Sequence, residues 1–372
     1  MKILYITTIS RTMNFFKSFV SELVKDGHTV EFACNCEELV DGFFDGLVSK
    51  IHNLSFSRSP LDESNRIAYK SLKKLVESGE YDIVHCHTPI AAMLTRLACR
   101  KVQKKGTKVI YTAHGFHFYK GSPMLNWLLF YTTEKICSYF TDVLITINKE
   151  DYVLANKKLK AKKVEYVPGV GLNIEKFQTC SVDIQSLRSS FGFKKDDFVM
   201  ISVGELSPRK NHQVIIKALS QLNIPDLKLL IVGDGNLEQM LKTLAKELKV
   251  ENQVVFAGYR KDINDLLHAS DAFVFTSLQE GLPVVLMEAM ATGIPIICSR
   301  IRGNVDLIAD EKGGYLVNPR DVDDIAKAIK SLLENYDASQ EMVKTNLDTI
   351  KKFEIKHINE EMFNLYENAR KS

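Results

Sequence analysis

Short apolar runs alternate with longer amphipathic stretches along almost the whole chain. In the first half the runs predict strands at Met1–Thr8, His28–Cys34, Asp82–His87, Lys108–Ala113 and Asp142–Ile147, and a short last one at Glu165–Pro168. Between them, apolar residues three and four apart predict helices at Met13–Lys25, Ile67–Ser78, Ala91–Lys104 and Met124–Phe140. Asp26-Gly27 supplies a helix C-cap and turn. Near-continuous apolar strands separated by helices are the pattern of a parallel, doubly wound sheet covered on both faces.

Pro168-Gly169-Val-Gly171-Leu-Asn173 breaks this rhythm and reads as a linker. A second alternation follows, with strands at Phe198–Val203, Lys228–Val232, Gln253–Ala257, Ala272–Phe275, Pro295–Cys298 and Gly314–Val317. Its helices fall at His212–Gln221, Leu237–Leu248, Ile263–His268, Val284–Ala291 and Val322–Asn335. The expected α/β architecture is two Rossmann-like domains, residues 1–170 and 171–350, facing a cleft. Residues 351–372 form a last amphipathic segment.

Composition narrows the class. With 45% hydrophobic and 26% charged residues in 372, the chain is an ordinary globular protein with room for two domains. No apolar run reaches the roughly 18 residues of a membrane span, and the N-terminus reads as a first buried strand rather than a signal peptide. Seven scattered cysteines argue against a disulfide framework; Cys34 and Cys36 share one strand face as packing residues. His85 and His87 share a face too, but no second ligand pair accompanies them at metal spacing. Residues 1–170 carry 24 Lys+Arg against 17 Asp+Glu, and residues 171–372 carry 25 against 29, so the halves are +7 and −4. A basic first half suits an anionic surface.

Three segments carry chemistry. In the first, the strand Asp271–Thr276 runs into Glu280-Gly281-Leu282-Pro283 and a helix, with Glu288 about two helical turns beyond Glu280. Free N–H groups at a helix start flanked by two carboxylates suit a ligand with phosphate at one end and hydroxyls elsewhere, a nucleotide sugar. In the second, a strand ends at Gly204, where backbone can approach a ligand closely, and Arg209-Lys210 follow before the next helix. A planar fork beside a compact charge suits a diphosphate. In the third, Lys108–Ala113 ends at His114-Gly115. Gly233-Asp234-Gly235 is a weaker nucleotide-type turn. Asp321-Val-Asp323-Asp324 has the letters of a metal-binding Asp-x-Asp but reads as a helix N-terminus with dipole-compensating acids, so no metal is expected.

Glu280 and Glu288 eight apart around Gly281-Leu282-Pro283 resemble the signature of family 4 glycosyltransferases, which have the GT-B fold, and the resemblance extends over nearly the whole chain. It implies that Arg209 and Lys210 hold the donor diphosphate, with Gly204 beside it, and that Glu288 holds the ribose hydroxyls. Glu280, with the amides of Gly281 to Pro283 and with Val284, would hold the sugar hydroxyls. His114 would reach the sugar near the reacting centre, with His117 able to share that role. Arg260 is implied as a neighbour of the base. Many members carry a Gly pair after the first strand; here the loop is Thr8-Ile9-Ser10-Arg11-Thr12, which leaves Arg11 to contact phosphate or the loop to serve the acceptor. The resemblance also implies a last helix that crosses back onto the first domain.

His-Gly-Phe-His-Phe-Tyr at 114–119 and Ile145-Thr-Ile-Asn148-Lys-Glu-Asp151 look most like capsule and exopolysaccharide enzymes. The implied activity is a retaining, metal-independent transfer of a hexose or N-acetylhexosamine from a UDP-sugar to a polyprenyl-diphosphate-linked or glycan acceptor. No cofactor or nucleic acid is implied, and the place of work is the cytoplasm. Pro123–Phe140, with the chain's single Trp127, is too short and polar to span a membrane but suits its surface, helped by Arg96, Arg100, Lys101, Lys104 and Lys105. Two rival readings are a UDP-sugar 2-epimerase of the same fold and a catalytically degenerate nucleotide-binding partner subunit.

Overall fold

Thirteen strands build two separate parallel sheets in the computed structural model, which describes residues 1–37, 44 and 46–371. Two compact units result, one formed by Met1–Gly171 with Ile355–Ser372, the other by Leu172–Glu354.

The first unit contains β1 (Lys2–Ile9), β2 (Thr29–Asn35), β3 (Lys50–Asn53), β4 (Ile83–His87), β5 (Lys108–Ala113), β6 (Val143–Thr146) and β7 (Lys163–Tyr166), in the order β3-β2-β1-β4-β5-β6-β7. Alternation along β1 explains why both faces are apolar. Leu4 and Ile6 enter one core with Val84 and Val109, whereas Ile3 and Tyr5 enter the other with Ile83, Ile110 and Ile145. The helix Ile355–Lys371 completes that second core. Its Tyr366 hydroxyl donates to Tyr5 Oη at 2.7 Å and lies 2.5 Å from His85 Nδ1, and its Asn359 Nδ2 donates to Ser18 Oγ at 3.2 Å.

The second unit contains β8 (Phe198–Val203), β9 (Leu227–Val232), β10 (Val254–Gly258), β11 (Ala272–Phe275), β12 (Ile296–Ser299) and β13 (Tyr315–Val317), in the order β10-β9-β8-β11-β12-β13. The order reverses direction beside β8, so the loops after β8 and β11 leave from adjacent strands at the switch point where such sheets bind ligands.

The structure departs from the sequence reading in several places. Lys50–Asn53 forms the edge strand β3, which a four-residue half-exposed segment with one isoleucine does not announce. The loop after β1 is a 3-10 helix, Ser10–Phe16, and only Lys17–Lys25 is α-helical. Ala91–Lys104 is two helices, Pro89–Ala98 and Arg100–Gln103. Met124–Phe140 is broken by a π-helical turn at Trp127–Tyr131. The helices Lys149–Lys158, Ile184–Ser190 and Tyr336–Ile350 were missed.

Arg96 also departs from its expected role. It is 1% exposed, and its Nη1 donates to Glu134 Oε2 at 2.7 Å while the guanidinium lies over the Tyr111 ring at 4.1 Å. A buried, paired arginine contributes no surface charge. Trp127 packs on Phe118 and Tyr131 against the core instead of standing free as an anchor. The outward face of this segment consists of Met124, Leu125, Leu128, Leu129, Ile136 and Tyr139, with Met124 89% and Leu128 68% exposed. No helix among the described residues is long and apolar enough to cross a membrane.

Candidate active site

In the second unit, glycines end three neighbouring strands. Gly204 follows β8 with φ +155°, Gly233 follows β9 with φ +136°, and Gly258 closes β10. A Cβ on Gly233 would sit 2.1 Å from the Gly204 carbonyl oxygen, and one on Gly204 would sit 3.1 Å from the Lys210 side chain. Side-chain-free backbone is therefore required where the β8 and β9 loops pass each other and where Lys210 folds back.

The loops after β8 and β11 are stitched together. Leu278 N–H donates to Arg209 O at 2.8 Å, and Asn211, held in the left-handed region at φ +57°, donates from Nδ2 to Thr276 O at 3.2 Å. This brings Arg209, Lys210 and Glu280 together across 70 residues of sequence. Arg209 Nη1 lies 2.9 Å and Lys210 Nζ 2.8 Å from the same oxygen, Glu280 Oε1. Arg209 Nη1 also donates to Gln279 O at 3.1 Å, and Lys210 Nζ lies over the Phe275 ring at 4.6 Å. Burial lowers the Lys210 pKa, and Glu280 opposes that shift. Two cations share one carboxylate oxygen beside unencumbered glycine backbone, with Glu205 a further acid near Lys210.

Beyond Glu280 the chain turns through Gly281-Leu282-Pro283 into the helix Val284–Thr292. Pro283 is the N-cap, in extended backbone, and has no N–H, so the amide donors here belong to Gly281, Leu282 and Val284, not to Pro283. Arg302, which the sequence reading did not single out, is buried and donates from Nε to Glu280 O at 3.2 Å. A Cβ on Gly303 would strike the Gly281 carbonyl oxygen at 2.2 Å, so Arg302-Gly303 after β12 braces the turn from behind. An Arg-Gly pair in a loop gives no sequence signal of its own.

Glu288 lies on the helix Val284–Thr292, and its carboxylate has no side-chain partner among the described residues. Burial pushes its pKa up to about 7, slightly opposed by Lys176. Arg260 pairs locally with Asp262, Nε and Nη2 donating to its carboxylate at 2.9 and 2.5 Å. No hydrogen bond or ion pair among the described residues joins it to Arg209, Lys210 or Glu280. Asp321 caps its helix, Oδ1 accepting from the N–H groups of Asp323 and Asp324 at 3.0 and 3.2 Å.

In the first unit, His114 follows β5, and Gly115 beside it has φ +121°. The loop is pinned by the buried Asn148-Asp151 pair. Asn148 Oδ1 caps the helix Lys149–Lys158 by accepting from Asp151 N–H at 2.8 Å, and Asp151 Oδ2 accepts from Phe116 N–H at 3.0 Å. His114 Nε2 lies 3.1 Å from His87 Nδ1, and burial lowers the His114 pKa to about 4. His117 is separate: it stacks on Phe130 at 4.7 Å and borders a cavity of about 330 Å³ with Thr8, Thr88, Arg58 and Ile90. Arg11 is exposed on the 3-10 turn after β1 and has no ion-pair partner among the described residues.

Known proteins share this architecture. Residues 2–148 match the family described as glycosyl transferase 4-like, and residues 183–348 match glycosyl transferases group 1. The putative glycosyltransferase EpsD of Bacillus subtilis (strain 168) is 39% identical over 323 residues, 86% of this chain and 85% of its own. The UDP-Gal:alpha-D-GlcNAc-diphosphoundecaprenol alpha-1,3-galactosyltransferase of Escherichia coli is 34% identical over 266 residues, 70% of this chain and 68% of its own. The crystal structure of Anabaena HepE in complex with UDP and glucose has the same fold, with a TM-score of 0.81 at 20% identity over 99% of this chain and 100% of that one. With that extent of identity to EpsD, and with two doubly wound domains of the GT-B kind, the chain belongs to family 4 of the glycosyltransferases and is itself a glycosyltransferase.

Proposed function

We propose that this glycosyltransferase moves a hexose or N-acetylhexosamine from a UDP-sugar to a polyprenyl-diphosphate-linked acceptor in exopolysaccharide or capsule assembly. In this reading the transfer retains anomeric configuration and needs no metal. The observation that carries it is the convergence of Arg209 and Lys210 on one oxygen of Glu280. An incoming diphosphate takes over both cations, and Glu280, released from them, accepts hydrogen bonds from sugar hydroxyls. The cations then neutralise the charge that grows on the departing nucleoside diphosphate, the task other enzymes give to a metal. Glu288 takes the ribose hydroxyls, and His114 hydrogen-bonds the transferred sugar. The UDP donor and the lipid-linked acceptor draw support from the galactosyltransferase relative, whose name specifies both, and the donor also from HepE, solved with UDP.

The test is UDP release from a panel of UDP-sugars, with and without a polyprenyl-diphosphate-sugar, in the presence of EDTA. Acceptor-dependent release with one donor, undiminished by EDTA, is expected; release abolished by EDTA refutes metal independence. Lys210→Ala lowers kcat by roughly 100-fold or more, since one such donor is worth about 3 kcal/mol in the transition state. An unchanged kcat removes the assigned role.

The same reading places the enzyme peripherally on the cytoplasmic face of the membrane. The exposed face of Met124, Leu125, Leu128, Leu129, Ile136 and Tyr139 supports it, with the exposed cations Arg100, Lys101, Lys104 and Lys105 of unit one beside the anionic headgroups. Co-sedimentation with vesicles containing phosphatidylglycerol, lost in Leu128→Glu/Leu129→Glu, is the expected result; equal sedimentation of the variant refutes that face.

A further inference from the structure

We propose that His87 is the positioning residue for His114: it fixes which nitrogen of the His114 ring carries the proton, so that His114 presents Nδ1–H as a hydrogen-bond donor to the substrate. The inference rests on the reading of His114 given above and adds its protonation state and the group that sets it.

The two rings come from adjacent strands. His87 is the last residue of β4 and pairs in register with Thr112 of β5, two residues before His114. His87 Nδ1 and His114 Nε2 are 3.1 Å apart. The His87 ring cannot turn away, because it stacks on Phe16 at 4.0 Å and lies against His85 at 4.1 Å and Tyr5 at 5.6 Å. His85 does not compete for His114, since Tyr366 Oη at 2.5 Å and Thr112 Oγ1 at 2.8 Å occupy its two nitrogens.

Burial keeps both His87 and His114 neutral, so one proton lies between them. Two arrangements are open. If His114 Nε2–H donates, then His87 must carry its own proton on Nε2. If His87 Nδ1–H donates, then His87 Nε2 is a bare acceptor and His114 carries its proton on Nδ1. The surroundings of His87 Nε2 decide. That atom is buried and has no partner among the described residues. The ring borders a cavity of about 40 Å³ walled largely by apolar side chains, among them Phe16, Phe19, Val167, Ile358 and Met362. Buried N–H groups left without an acceptor are rare in folded proteins, buried acceptors left without a donor less so. The second arrangement therefore holds. His114 Nδ1, which meets no side chain among the described residues, is the donor left for a sugar oxygen.

The experiment is tautomer assignment of ¹⁵N-histidine-labelled full-length enzyme by long-range proton–nitrogen correlation. The His114 signals are identified by their loss in His114→Ala, and kinetics are run alongside. In the wild type, His114 is expected with the proton on Nδ1. In His87→Phe, which keeps an aromatic ring in the stack but has no donor, the tautomer shifts towards Nε2–H. There kcat falls about tenfold while the KM for the UDP-sugar stays within about threefold. His87→Asn, whose Nδ2–H stands where Nδ1–H stood, recovers most of kcat and the Nδ1–H tautomer. A wild-type His114 protonated on Nε2, a folded His87→Phe enzyme with tautomer unchanged, or an Asn variant as impaired as Phe each overturns the proposal. An unchanged kcat in His114→Ala instead removes the reading of His114 as a sugar contact, and the tautomer measurement still decides the role of His87.

Discussion

Ionised Glu288 is expected to destabilise the protein, and a pair of melting curves tests it. Its carboxyl is pushed from an ordinary value near 4.5 up to about 7 by burial, with no hydrogen-bonding side chain among the described residues to compensate. The folded state therefore prefers the protonated form. Stability from this group is complete below the ordinary value and is lost as pH rises towards about 7. Each pKa unit corresponds to about 1.4 kcal/mol, so the ionised carboxylate costs about 1.4 kcal/mol at pH 5.5 and about 3 kcal/mol from pH 7 upward. Glu288→Gln is neutral at every pH. Any fixed cost of its amide offsets the whole curve without bending it, so the pH dependence of the difference isolates the ionisation. For a domain of this size each kcal/mol moves the transition by about 2–4 °C. The variant's Tm relative to wild type is expected to rise by roughly 6–12 °C between pH 4.5 and pH 7.5, read by scanning calorimetry of both proteins in the same buffers, and then to level off. A difference that is constant across that range, or that falls, refutes the account of Glu288 as a desolvated, unpartnered acid. The same variant is expected to bind UDP more weakly despite its higher Tm, the exchange of stability for function that strained sites show.

Three further outcomes follow from the geometry. If the Glu288 carboxylate receives the ribose hydroxyls, UDP binding lowers its pKa and releases about half a proton at pH 7, which appears as a dependence of the calorimetric enthalpy on buffer ionisation; no dependence contradicts that role. Arg96→Met leaves Glu134 buried without its cation and costs about 3–5 kcal/mol, while adding Glu134→Leu restores most of the loss; urea unfolding of both variants tests the pairing. Arg302→Ala loosens the Glu280 turn from behind and is expected to raise the KM for the UDP-sugar several-fold with little loss of fold. A collapse in Tm with unchanged KM assigns Arg302 to stability instead.

Strands and loop chemistry were legible where their signal is local. The strands that became β1, β8 and β11 are near-continuous apolar runs, and Arg209, Lys210 and Glu280 lie in the loops after β8 and β11, on the side of a parallel sheet where ligand-binding groups gather. What was not legible depends on contacts made at a distance. Lys50–Asn53 becomes a strand only because β2 offers it a free edge. The inward turn of Arg96 requires Glu134, 38 residues away and on another helix. Arg302 and Gly303 matter because β12 delivers them behind Gly281, and nothing in their own neighbourhood marks them. His85 and His87 were correctly placed on one strand face, but their partners, Tyr366 and His114, come from parts of the sequence that no spacing rule connects.

The Tyr366 hydroxyl bonded to Tyr5 and beside His85 also bears on how the protein is made. Tyr5 is synthesised before Leu172–Glu354, yet its partner Tyr366 follows the whole of that stretch. The second unit is continuous in sequence and can finish folding on the ribosome. The first sheet and its flanking helix must meanwhile leave Tyr5 and Phe19 without their contacts to Tyr366 until Ile355–Lys371 emerges. The usual N-to-C order of domain folding is thus inverted. A nascent chain halted before residue 355 presents a complete second unit tethered to an open, aggregation-prone sheet, and that sheet is where a chaperone has work to do.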